Sequence, residues 1–349
     1  MAKPSIFSGN CMASRVILSI IIVNWNVRDL ARKCLLSIRK EMLLPADQYE
    51  LIVVDNASSD GSTDMFRVEF PDVSLIESPV NLGFGAGCNR AYAISRGEFI
   101  LLINPDTEVI GHALDGLLAI MLSRPRAGII APRLVNADRS FQSAAGGALP
   151  TLLNVAWHYL FLRNMMPARF APPALFLEGD PREELLIGWV SGASMLLRRA
   201  AIGERIFDES FFMFGEDMDA CSRIRANGWE VVYAGGQSII HHQGRSFDQQ
   251  KSLVIRANAH KGPRQVFAKG RGPISVLLYD TIMLLAFLVR WPAYWMLSLL
   301  RPERGYDARA QYSKSYLLAM LHERMSRKNA TSRTDTAAAQ VPRSNPPPG

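Results

Sequence analysis

Two aspartates follow directly on apolar segments that predict buried strands. Asp55 comes after Leu51–Val54, and Asp106 comes soon after Phe99–Ile103. Pro105 cannot donate to a sheet ladder, so it should end the second strand and leave the Asp106 side chain clear of the sheet edge. A carboxylate in this position is a candidate ligand for a hard cation such as Mg²⁺ or Mn²⁺. The alternative is a turn that only caps the next helix.

A second group of ionisable residues lies in the later part of the chain. Glu216, Asp217 and Asp219 open a predicted helix directly after an aromatic run that would form a dry pocket wall. Carboxylates in a first helical turn commonly act only as partners of the helix dipole. These three, however, cannot all point in one direction around a helix. His241 and His242 end a later strand, where a histidine can be structural or a metal ligand.

A glycine-rich turn, Asn81–Gly87, precedes a predicted helix that runs to about Ser95. Glycines at a helix start let backbone amides approach phosphate oxygens. A dinucleotide-binding fingerprint would follow the first strand, with an acidic residue about 20 positions later. Here the turn follows the third predicted strand, which argues against a dehydrogenase.

Alternating strand and helix patterns must position these residues. From Val16 onward they read β-α-β-α-β-α-β, which predicts a mostly parallel sheet with its ligands at the carboxyl ends of the strands. Residues 139–187 read as an irregular insertion, whose apolar piece Leu152–Leu162 is either membrane-facing or an ordinary core helix. The predicted organisation is a flexible lead (1–15), a catalytic domain (16–255, with halves 16–110 and 111–255), a basic and apolar helical region (256–325) and a disordered tail (326–349).

The composition is that of a globular protein with a basic C-terminal part. The 349 residues carry 39 basic and 32 acidic side chains, a net charge of +7, and the segment 256–343 is markedly basic. A basic surface suits nucleic acid, anionic lipid or phosphorylated ligands. The four cysteines show no metal-binding spacing, and residues 1–15 lack the apolar core of a signal peptide. Both features favour a reducing cytoplasm.

The C-terminal part contains two apolar runs, Ile274–Val289 and Ala293–Leu300, with Pro292 between them. Each run is shorter than the roughly 20 residues of a spanning helix. With arginines and tryptophans at their edges, the runs predict a pair of amphipathic helices lying on a membrane surface. The alternative is a pair of core-packing helices that closes the globular domain.

The order of the motifs resembles that of family-2 inverting glycosyltransferases, and most of all their bacterial rhamnosyltransferase-type branch. The similarity extends over about residues 16–250 and rests on several motifs in one order. They are Ser19–Asn26, Val54–Ser62, Asn81–Gly85, Leu102–Asp106, Trp189–Ala193 and Phe214–Asp217.

This resemblance implies an A-type glycosyltransferase fold, in which a Rossmann-like sheet continues into an acceptor-binding half. Asp55 matches the aspartate that binds the pyrimidine base. Asn104-Pro105-Asp106 matches the Asp-x-Asp motif that holds a divalent metal, Mg²⁺ or Mn²⁺, on the diphosphate. Because the first aspartate is Asn104 here, the ion would rest mainly on Asp106. His241 matches the late histidine near the metal, and Asp217 matches the catalytic base.

The resemblance also implies two groups of substrate contacts. The predicted contacts to the nucleotide sugar, besides Asp55, Asn104 and Asp106, are Val23, Asn24, Asn26, Asn81, Gly83 and Arg245, the last of which could equally be a surface arginine. The predicted contacts to the acceptor are Trp189, Gly192, Ala193 and Glu216.

The predicted function is transfer of one sugar from a dTDP- or UDP-sugar, with dTDP-rhamnose as the expected donor, to a lipid-linked or cell-surface bacterial glycan. Such an enzyme would be cytoplasmic and peripheral on the inner face of the membrane. One alternative is a catalytically silent scaffold that binds sugar nucleotides. A nucleotidyltransferase would need a glycine-rich basic loop that residues 24–34 lack. Nucleic acid is disfavoured because the basic residues lie beside apolar helices rather than in an aromatic-interleaved patch.

Overall fold

The structure is a computed structural model that describes residues 15–162, 167–212, 214–242 and 253–321, with the backbone alone for residues 168 and 253–260. Most of the predicted lead (1–14), the predicted tail (326–349) and Arg245 lie outside the described residues.

The elements alternate between strands and helices through the first half of the chain. The strands are β1 (Leu18–Asn24), β2 (Tyr49–Asp55), β3 (Ser74–Glu77), β4 (Phe99–Ile103), β5 (Thr107–Val109), β6 (Ala127–Val135), β7 (Gly146–Gly147), β8 (Glu184–Leu186), β9 (Trp189–Val190), β10 (Ser194–Arg198) and β11 (Glu230–His241). The helices are α1 (Arg28–Glu41), α2 (Ser62–Glu69), α3 (Phe84–Ile94), α4 (Ala113–Ser123), α5 (Leu152–Tyr159), α6 (Glu216–Ala226), α7 (Leu253–Ala268) and α8 (Pro273–Leu300). Residues 306–321 are also helical.

A mixed sheet of nine strands forms the centre of the molecule, in the order β3-β2-β1-β4-β10-β6-β11-β5, with β8 paired to β11. The pairs among β1, β2, β3 and β4 are parallel, as is the pair β6–β11. Strand β10 runs antiparallel to both β4 and β6. Strand β4, which the sequence predicted to be buried, lies in the interior of the sheet, with β1 parallel and β10 antiparallel to it.

Each face of the sheet is covered by its own apolar core. Along β1, Ile20 and Ile22 face a core that includes residues of α1, α2 and α4. The alternate residues Ile21 and Val23 face a second core that includes residues of α3 and α6. Strands buried on both faces read as continuous apolar runs, which is why β1, β2 and β4 were recognisable in the sequence. This arrangement is the predicted α/β sheet flanked by helices.

A sharp turn directs the chain into α6. Phe214 and Gly215 both adopt left-handed conformations, with φ of 67° and 93°. A non-glycine residue in this region is uncommon, and Gly215 has no Cβ to oppose it. The turn places Glu216 and Asp217 in the first turn of α6, next to the sheet.

Two predictions of element boundaries were wrong. The segments 229–233 and 238–246 were expected to be separate strands, but Glu230–His241 is one strand with a register shift between Ala234 and Ser238. Pro292 was expected to separate two apolar helices, but α8 continues through it. Both Pro292 and Leu288, the residue whose carbonyl loses its helical partner, are exposed, so water or lipid-interface groups can reach that carbonyl.

The C-terminal helices are packed against the rest of the protein. A third apolar core contains Val155 of α5, Phe267 of α7 and Phe287 of α8, together with residues of the helix 306–321. The apolar piece at Leu152 is therefore a short core-packing helix. Among the described residues, α8 is the one helix long and apolar enough to cross a membrane, by length and composition.

Candidate active site

Asp55 is held rigidly at the carboxyl end of β2. It lies opposite Asn24 in the β1–β2 register, and the Asn24 side-chain amide donates to Asp55 Oδ1 over 2.9 Å. The backbone N–H of Ser58 (2.9 Å) and the Thr63 hydroxyl (3.3 Å) donate to Oδ2. Asp55 is thus a buried carboxylate whose negative charge is balanced by hydrogen-bond donors.

The end of β1 lies beside Asp55. Val23 and Asn24 are buried, and the Asn24 side-chain oxygen has no partner among the described residues. Asn26 has a left-handed backbone, and its side-chain oxygen accepts from the Ser59 N–H over 2.7 Å. The three predicted nucleotide contacts of this segment therefore lie along one edge, next to Asp55.

Asn56 joins this edge to the glycine-rich turn. Its side-chain amide donates to the Gly83 carbonyl over 3.0 Å, and Asn81 accepts from the Gly83 N–H over 2.9 Å. Gly83 has φ of +83°, and a Cβ there would lie 2.6 Å from the Phe212 carbonyl oxygen. The glycine is thus required for packing against the aromatic run. Asn56 was missed in the sequence because nothing local indicates that it reaches a turn 27 residues away.

Asp106 and His241 face each other on neighbouring elements. Thr107 of β5 pairs with His241 of β11, which brings the imidazole alongside the Asn-Pro-Asp turn. His241 Nε2 lies 3.4 Å from Asp106 Oδ1, and the Asp106 side chain is buried while that of His241 is partly exposed. This distance is longer than a normal N–H···O bond. Within the described part of the chain, no hydrogen-bond donor contacts the Asp106 carboxylate at shorter range.

The neighbouring histidine has a different partner. His242 Nε2 lies 2.7 Å from Glu108 Oε1, and the His242 backbone N–H donates to the Asp106 carbonyl over 2.8 Å. His242 therefore helps to fix the turn, and its ring is held by Glu108. The role of His241 as the histidine near a metal stays a prediction.

Asp217 is anchored at the start of α6. Its Oδ2 accepts from the Gly192 N–H over 3.1 Å, and its Oδ1 accepts from the Met218 N–H over 2.7 Å. Asp217 keeps some solvent exposure, and burial raises the pKa of its carboxyl. The Asn104 N–H donates to the Ala193 carbonyl over 2.9 Å. The segment at Gly192 thus connects Asp217 directly with the turn that carries Asp106.

Glu216 is a buried carboxyl with one oxygen, Oε2, that has no hydrogen-bond partner among the described residues. Burial, and secondarily the neighbouring Asp217, raises the pKa of Glu216 to about 8. At neutral pH the Glu216 side chain is therefore mostly a neutral carboxylic acid.

The predicted acceptor contacts form a buried wall behind Asp217. Trp189, Gly192, Ala193 and Glu216 are all buried. The Trp189 indole N–H donates to the Leu175 carbonyl over 3.2 Å, so this ring supports the wall from within the core. A Cβ at Gly192 would lie 3.2 Å from the Phe84 ring. Contact of these four residues with an acceptor stays a prediction.

The residues at the Asn-Pro-Asp turn suit a divalent cation. Asp106 offers a carboxylate oxygen and His241 an imidazole nitrogen, two groups that lie close together without a hydrogen bond of normal length. No group of three or more His, Cys, Asp or Glu residues that could hold an ion occurs in the described ranges. A site of this size fits a cation that keeps several waters and is completed by substrate phosphates.

Comparison with known proteins decides the family. A sequence model described as glycosyl transferase family 2 matches residues 19–202. The N-acetylglucosaminyl-diphospho-decaprenol L-rhamnosyltransferase of Mycobacterium tuberculosis is 30% identical over 223 residues, which cover 60% of this chain and 72% of that protein. The chain belongs to glycosyltransferase family 2.

Other relatives of this family-2 glycosyltransferase are more distant. The low-salt glycan biosynthesis hexosyltransferase of Haloferax volcanii is 25% identical over 232 residues, covering 65% of this chain and 67% of that protein. A solved mannosyltransferase from Pyrobaculum calidifontis, in complex with GDP-Man and Mn²⁺, shares the fold with a TM-score of 0.54 at 17% identity, over 89% and 87% of the two chains. The resemblance to rhamnosyltransferases, the enzyme class and the fold predicted from the sequence are confirmed.

Proposed function

We propose that this glycosyltransferase transfers a sugar from a nucleoside diphosphate to a lipid-linked glycan with inversion at the anomeric carbon. The single observation that carries the proposal is the placement of Asp217. This carboxylate is partly exposed, is oriented by the Gly192 N–H, and is joined through Ala193 and Asn104 to the turn of Asp106. A carboxylate base and a cation site are what a single displacement requires.

In the proposed reaction, an acceptor hydroxyl attacks the anomeric carbon from the face opposite the diphosphate. A bond forms from the acceptor oxygen to that carbon, and the bond from the carbon to the diphosphate oxygen breaks with its electron pair going to the leaving group. Asp217 accepts the hydroxyl proton. The two N–H groups on its oxygens fix its orientation, and its raised pKa makes it a stronger base than an exposed aspartate.

The leaving diphosphate gains negative charge, and Asp106 and His241 would hold the Mg²⁺ or Mn²⁺ ion that neutralises it. Asp55 would bind the pyrimidine base, with Asn24 and Ser58 keeping its carboxylate in place. The N–H of the base is the kind of donor that a fixed carboxylate recognises. Both assignments rest on the resemblance and on the geometry of the two strand ends.

The donor sugar and the acceptor are proposed from the relatives. The mycobacterial relative is named as an L-rhamnosyltransferase that acts on N-acetylglucosaminyl-diphospho-decaprenol. We propose L-rhamnose from dTDP-rhamnose as the donor and a sugar on a polyprenyl diphosphate as the acceptor. A lipid-linked acceptor requires that the active site work close to a membrane surface.

Helix α8 is the proposed membrane contact. On one side Tyr279, Met283 and Phe287 are buried in the third core. On the other side an apolar stripe runs the length of the helix, from Ile274 at 74% exposure to Leu300 at 70%. The stripe also contains Leu277, Leu278, Leu285, Leu288, Val289, Trp291, Trp295, Met296 and Leu299.

A helix with one face in a protein core and one apolar face exposed suits a position in the plane of the membrane interface. Arg290 ties α8 to α5 through the carbonyls of His158 and Tyr159, and Asp280 pairs with Arg264 of α7. Exposed arginines at both ends, Arg271 and Arg301, suit an anionic leaflet. We therefore propose a peripheral enzyme on the inner face of the cell membrane.

The test of the function has two parts. The purified full chain is first screened by thermal unfolding against dTDP-, UDP- and GDP-sugars, with and without Mn²⁺ or Mg²⁺. A ligand of the native state raises stability by about 2.7 kcal/mol at a hundredfold excess over its Kd. The protein is then incubated with the stabilising donor and a synthetic N-acetylglucosaminyl diphosphate lipid, and the product is identified by mass spectrometry.

A metal-dependent shift together with a product that carries one added sugar supports the proposal. A shift without any transfer or donor hydrolysis would favour the silent scaffold that binds sugar nucleotides. The membrane contact is tested by flotation with anionic vesicles. We expect Trp295→Ser/Leu299→Ser to float less than the wild type, and an unchanged flotation would exclude α8 as the contact.

A further inference from the structure

Gln142 lies directly behind His241, on the side of the ring away from Asp106. It follows β6, and its backbone N–H donates to the Leu134 carbonyl over 3.1 Å. Its side-chain oxygen lies 3.0 Å from His241 Nδ1. Its side-chain nitrogen lies 2.7 Å from the His241 backbone carbonyl and 2.8 Å from Asn136 Oδ1. The buried Gln142 amide thus forms hydrogen bonds with both the ring and the backbone of His241.

These contacts determine which way the Gln142 amide points. The backbone carbonyl of His241 can only accept a hydrogen bond, so the group 2.7 Å from it must be the NH₂ of Gln142. The other end of the amide, facing His241 Nδ1, must then be the oxygen. Since that oxygen can only accept, the hydrogen of a neutral His241 ring must be on Nδ1.

The opposite ring nitrogen is affected by this choice. With the hydrogen on Nδ1, the Nε2 atom of neutral His241 carries an unshared electron pair. That atom lies 3.4 Å from Asp106 Oδ1, a second electron-pair donor. The hydrogen bond to one nitrogen of a histidine commonly decides which nitrogen binds a metal.

We infer that Gln142 is a positioning residue that fixes His241 as the Nδ1–H tautomer and so presents Nε2, beside Asp106, to a divalent cation. The inference rests on the proposed function, because a cation at Asp106 is part of that proposal. Nothing in the motifs of the sequence indicates Gln142, which lies in the irregular segment 139–187 and 99 residues from His241. Residues of this kind typically change metal affinity about 10–100-fold when replaced.

His242 offers an internal contrast. Its Nε2 is 2.7 Å from Glu108 Oε1, so the nitrogen that is left open in His241 is occupied in His242. Two adjacent histidines therefore have opposite sides of their rings engaged. Glu108→Gln changes the partner of His242 and does not touch Gln142, which makes it the matched control variant.

The first experiment records the ring nitrogens of His241 by NMR in ¹⁵N-labelled, metal-free protein. The spectra are taken at about pH 8, above the ordinary histidine pKa of about 6.5. His241→Gln supplies the assignment of the signals. We expect Nδ1 to carry the hydrogen in the wild type and in Glu108→Gln, and Nε2 to gain it in Gln142→Leu. An Nε2–H tautomer in the wild type would overturn the proposal.

Gln142→Glu keeps an acceptor opposite Nδ1 and serves as the conservative variant. We expect it to preserve the Nδ1–H tautomer even if the loss of the donor to the His241 carbonyl lowers its stability. If Gln142→Leu does not fold, this variant and the wild-type spectrum still decide the question. Loss of the Nδ1–H tautomer in Gln142→Glu would contradict the role of the Gln142 oxygen.

The second experiment measures Mn²⁺ binding by electron paramagnetic resonance, with dTDP present and no acceptor. We expect Gln142→Leu to weaken Mn²⁺ about 10–100-fold and Glu108→Gln to leave the Kd unchanged. An unchanged Kd in Gln142→Leu would overturn the positioning role. If wild-type protein bound no Mn²⁺ while showing the expected tautomer, the cation in the proposed function would fail and the assignment of the tautomer to Gln142 would stand.

Discussion

Asp55 and Asp106 lie at or just beyond the ends of β2 and β4, the two strands that flank β1. Their carboxylates differ in the hydrogen-bond donors that contact them. The oxygens of Asp55 accept from Asn24, Ser58 and Thr63. The carboxylate of Asp106 has no such donors among the described residues and faces His241 Nε2 at 3.4 Å. A buried carboxylate must be compensated, and these two differ in what compensates them.

Glu216 adds a third solution. Its Oε2 has no hydrogen-bond donor among the described residues, and its pKa rises to about 8, so that a proton removes the charge. Hydrogen bonds suit a residue that must stay in place, as Asp55 must if it binds the pyrimidine base of the nucleotide. An open carboxylate suits a residue that receives a cation. Asp55 would therefore belong to the rigid part of the proposed donor site, and Asp106 to the part that a ligand completes.

The largest expected effect belongs to Asp217, which should behave like neither strand-end carboxylate. Asp217→Asn removes the proton acceptor but keeps the size of the side chain. We expect the transfer rate to fall about 10²–10⁴-fold. Donor affinity and metal dependence should stay as in the wild type, because in the proposed reaction Asp217 acts on the acceptor hydroxyl and not on the donor.

The transfer rate is measured from the amount of product formed with rhamnose or another sugar, and donor binding is measured by calorimetry. Ser222→Ala, on the opposite face of α6, is the control for effects on the helix. A variant Asp217→Asn that lost donor binding together with transfer would contradict its assignment as the base.

The next effect tests whether Asp106 is open for a cation. Asp106→Asn removes the charge but leaves an amide that can donate to His241 Nε2. We expect the metal-dependent part of donor binding to disappear. Replacing a residue that only supports a metal ligand typically lowers metal affinity about 10–100-fold, so replacing the ligand itself should lower it about 100-fold or more. The stability of the metal-free protein should not fall, because no donor loses its partner and an uncompensated buried charge is replaced by a neutral amide.

The two measurements are calorimetry with and without Mn²⁺ and urea unfolding of the metal-free protein. A large loss of stability in Asp106→Asn would mean that its carboxylate is compensated by the protein after all. Metal-dependent binding that survives the substitution would place the cation elsewhere.

The strands and the carboxylates at their ends could be predicted from the sequence, but their long-range partners could not. Apolar runs predicted β1, β2 and β4 closely, and Asp55 and Asp106 follow from where those runs stop. Ion pairs between residues far apart in the chain could not be predicted. Arg133 sits buried within β6 because it forms an ion pair with Asp180, and this strand is longer than the predicted 128–132. No local pattern reports such a partner.

The same limit applies to the candidate site. Asp106, Asp217 and His241 were expected from motifs, whereas Asn56 and Gln142 were not. The partners of those two side chains, Gly83 and His241, are far along the chain and are reached only through tertiary structure. Residues that carry reactive groups are visible by type and position, but residues that orient them look like ordinary polar side chains.

A smaller effect is expected at Glu216, where a proton compensates the buried carboxyl. Because its pKa is raised from 4.5 to about 8, the folded state binds more protons than the unfolded state in that range. The stability of the wild type should therefore fall as pH rises from about 4.5 to about 8. Glu216→Gln lacks this titration and should be more stable than the wild type at pH 8, by on the order of a few kcal/mol.

Urea unfolding of both proteins at several pH values measures the difference. The wild type and Glu216→Gln should have similar stability near pH 4, where both side chains are neutral. Part of the pH dependence should persist in the variant, because burial also raises the pKa of Asp217. Parallel stability curves for the two proteins would show that Glu216 is ionised in the folded state.

The smallest of the expected effects is that of a substitution of Asp55. Asp55→Asn places an amide where the Ser58 N–H and the Thr63 hydroxyl now donate, and only the hydroxyl can turn to accept instead. One buried donor left without a partner costs about 1–3 kcal/mol. We expect that loss in urea unfolding, with weaker nucleotide binding but the same ratio of affinities with and without Mn²⁺. Unchanged stability combined with a lost metal effect would instead make Asp55 the cation-binding carboxylate, because only an uncompensated group can be exchanged without affecting the fold.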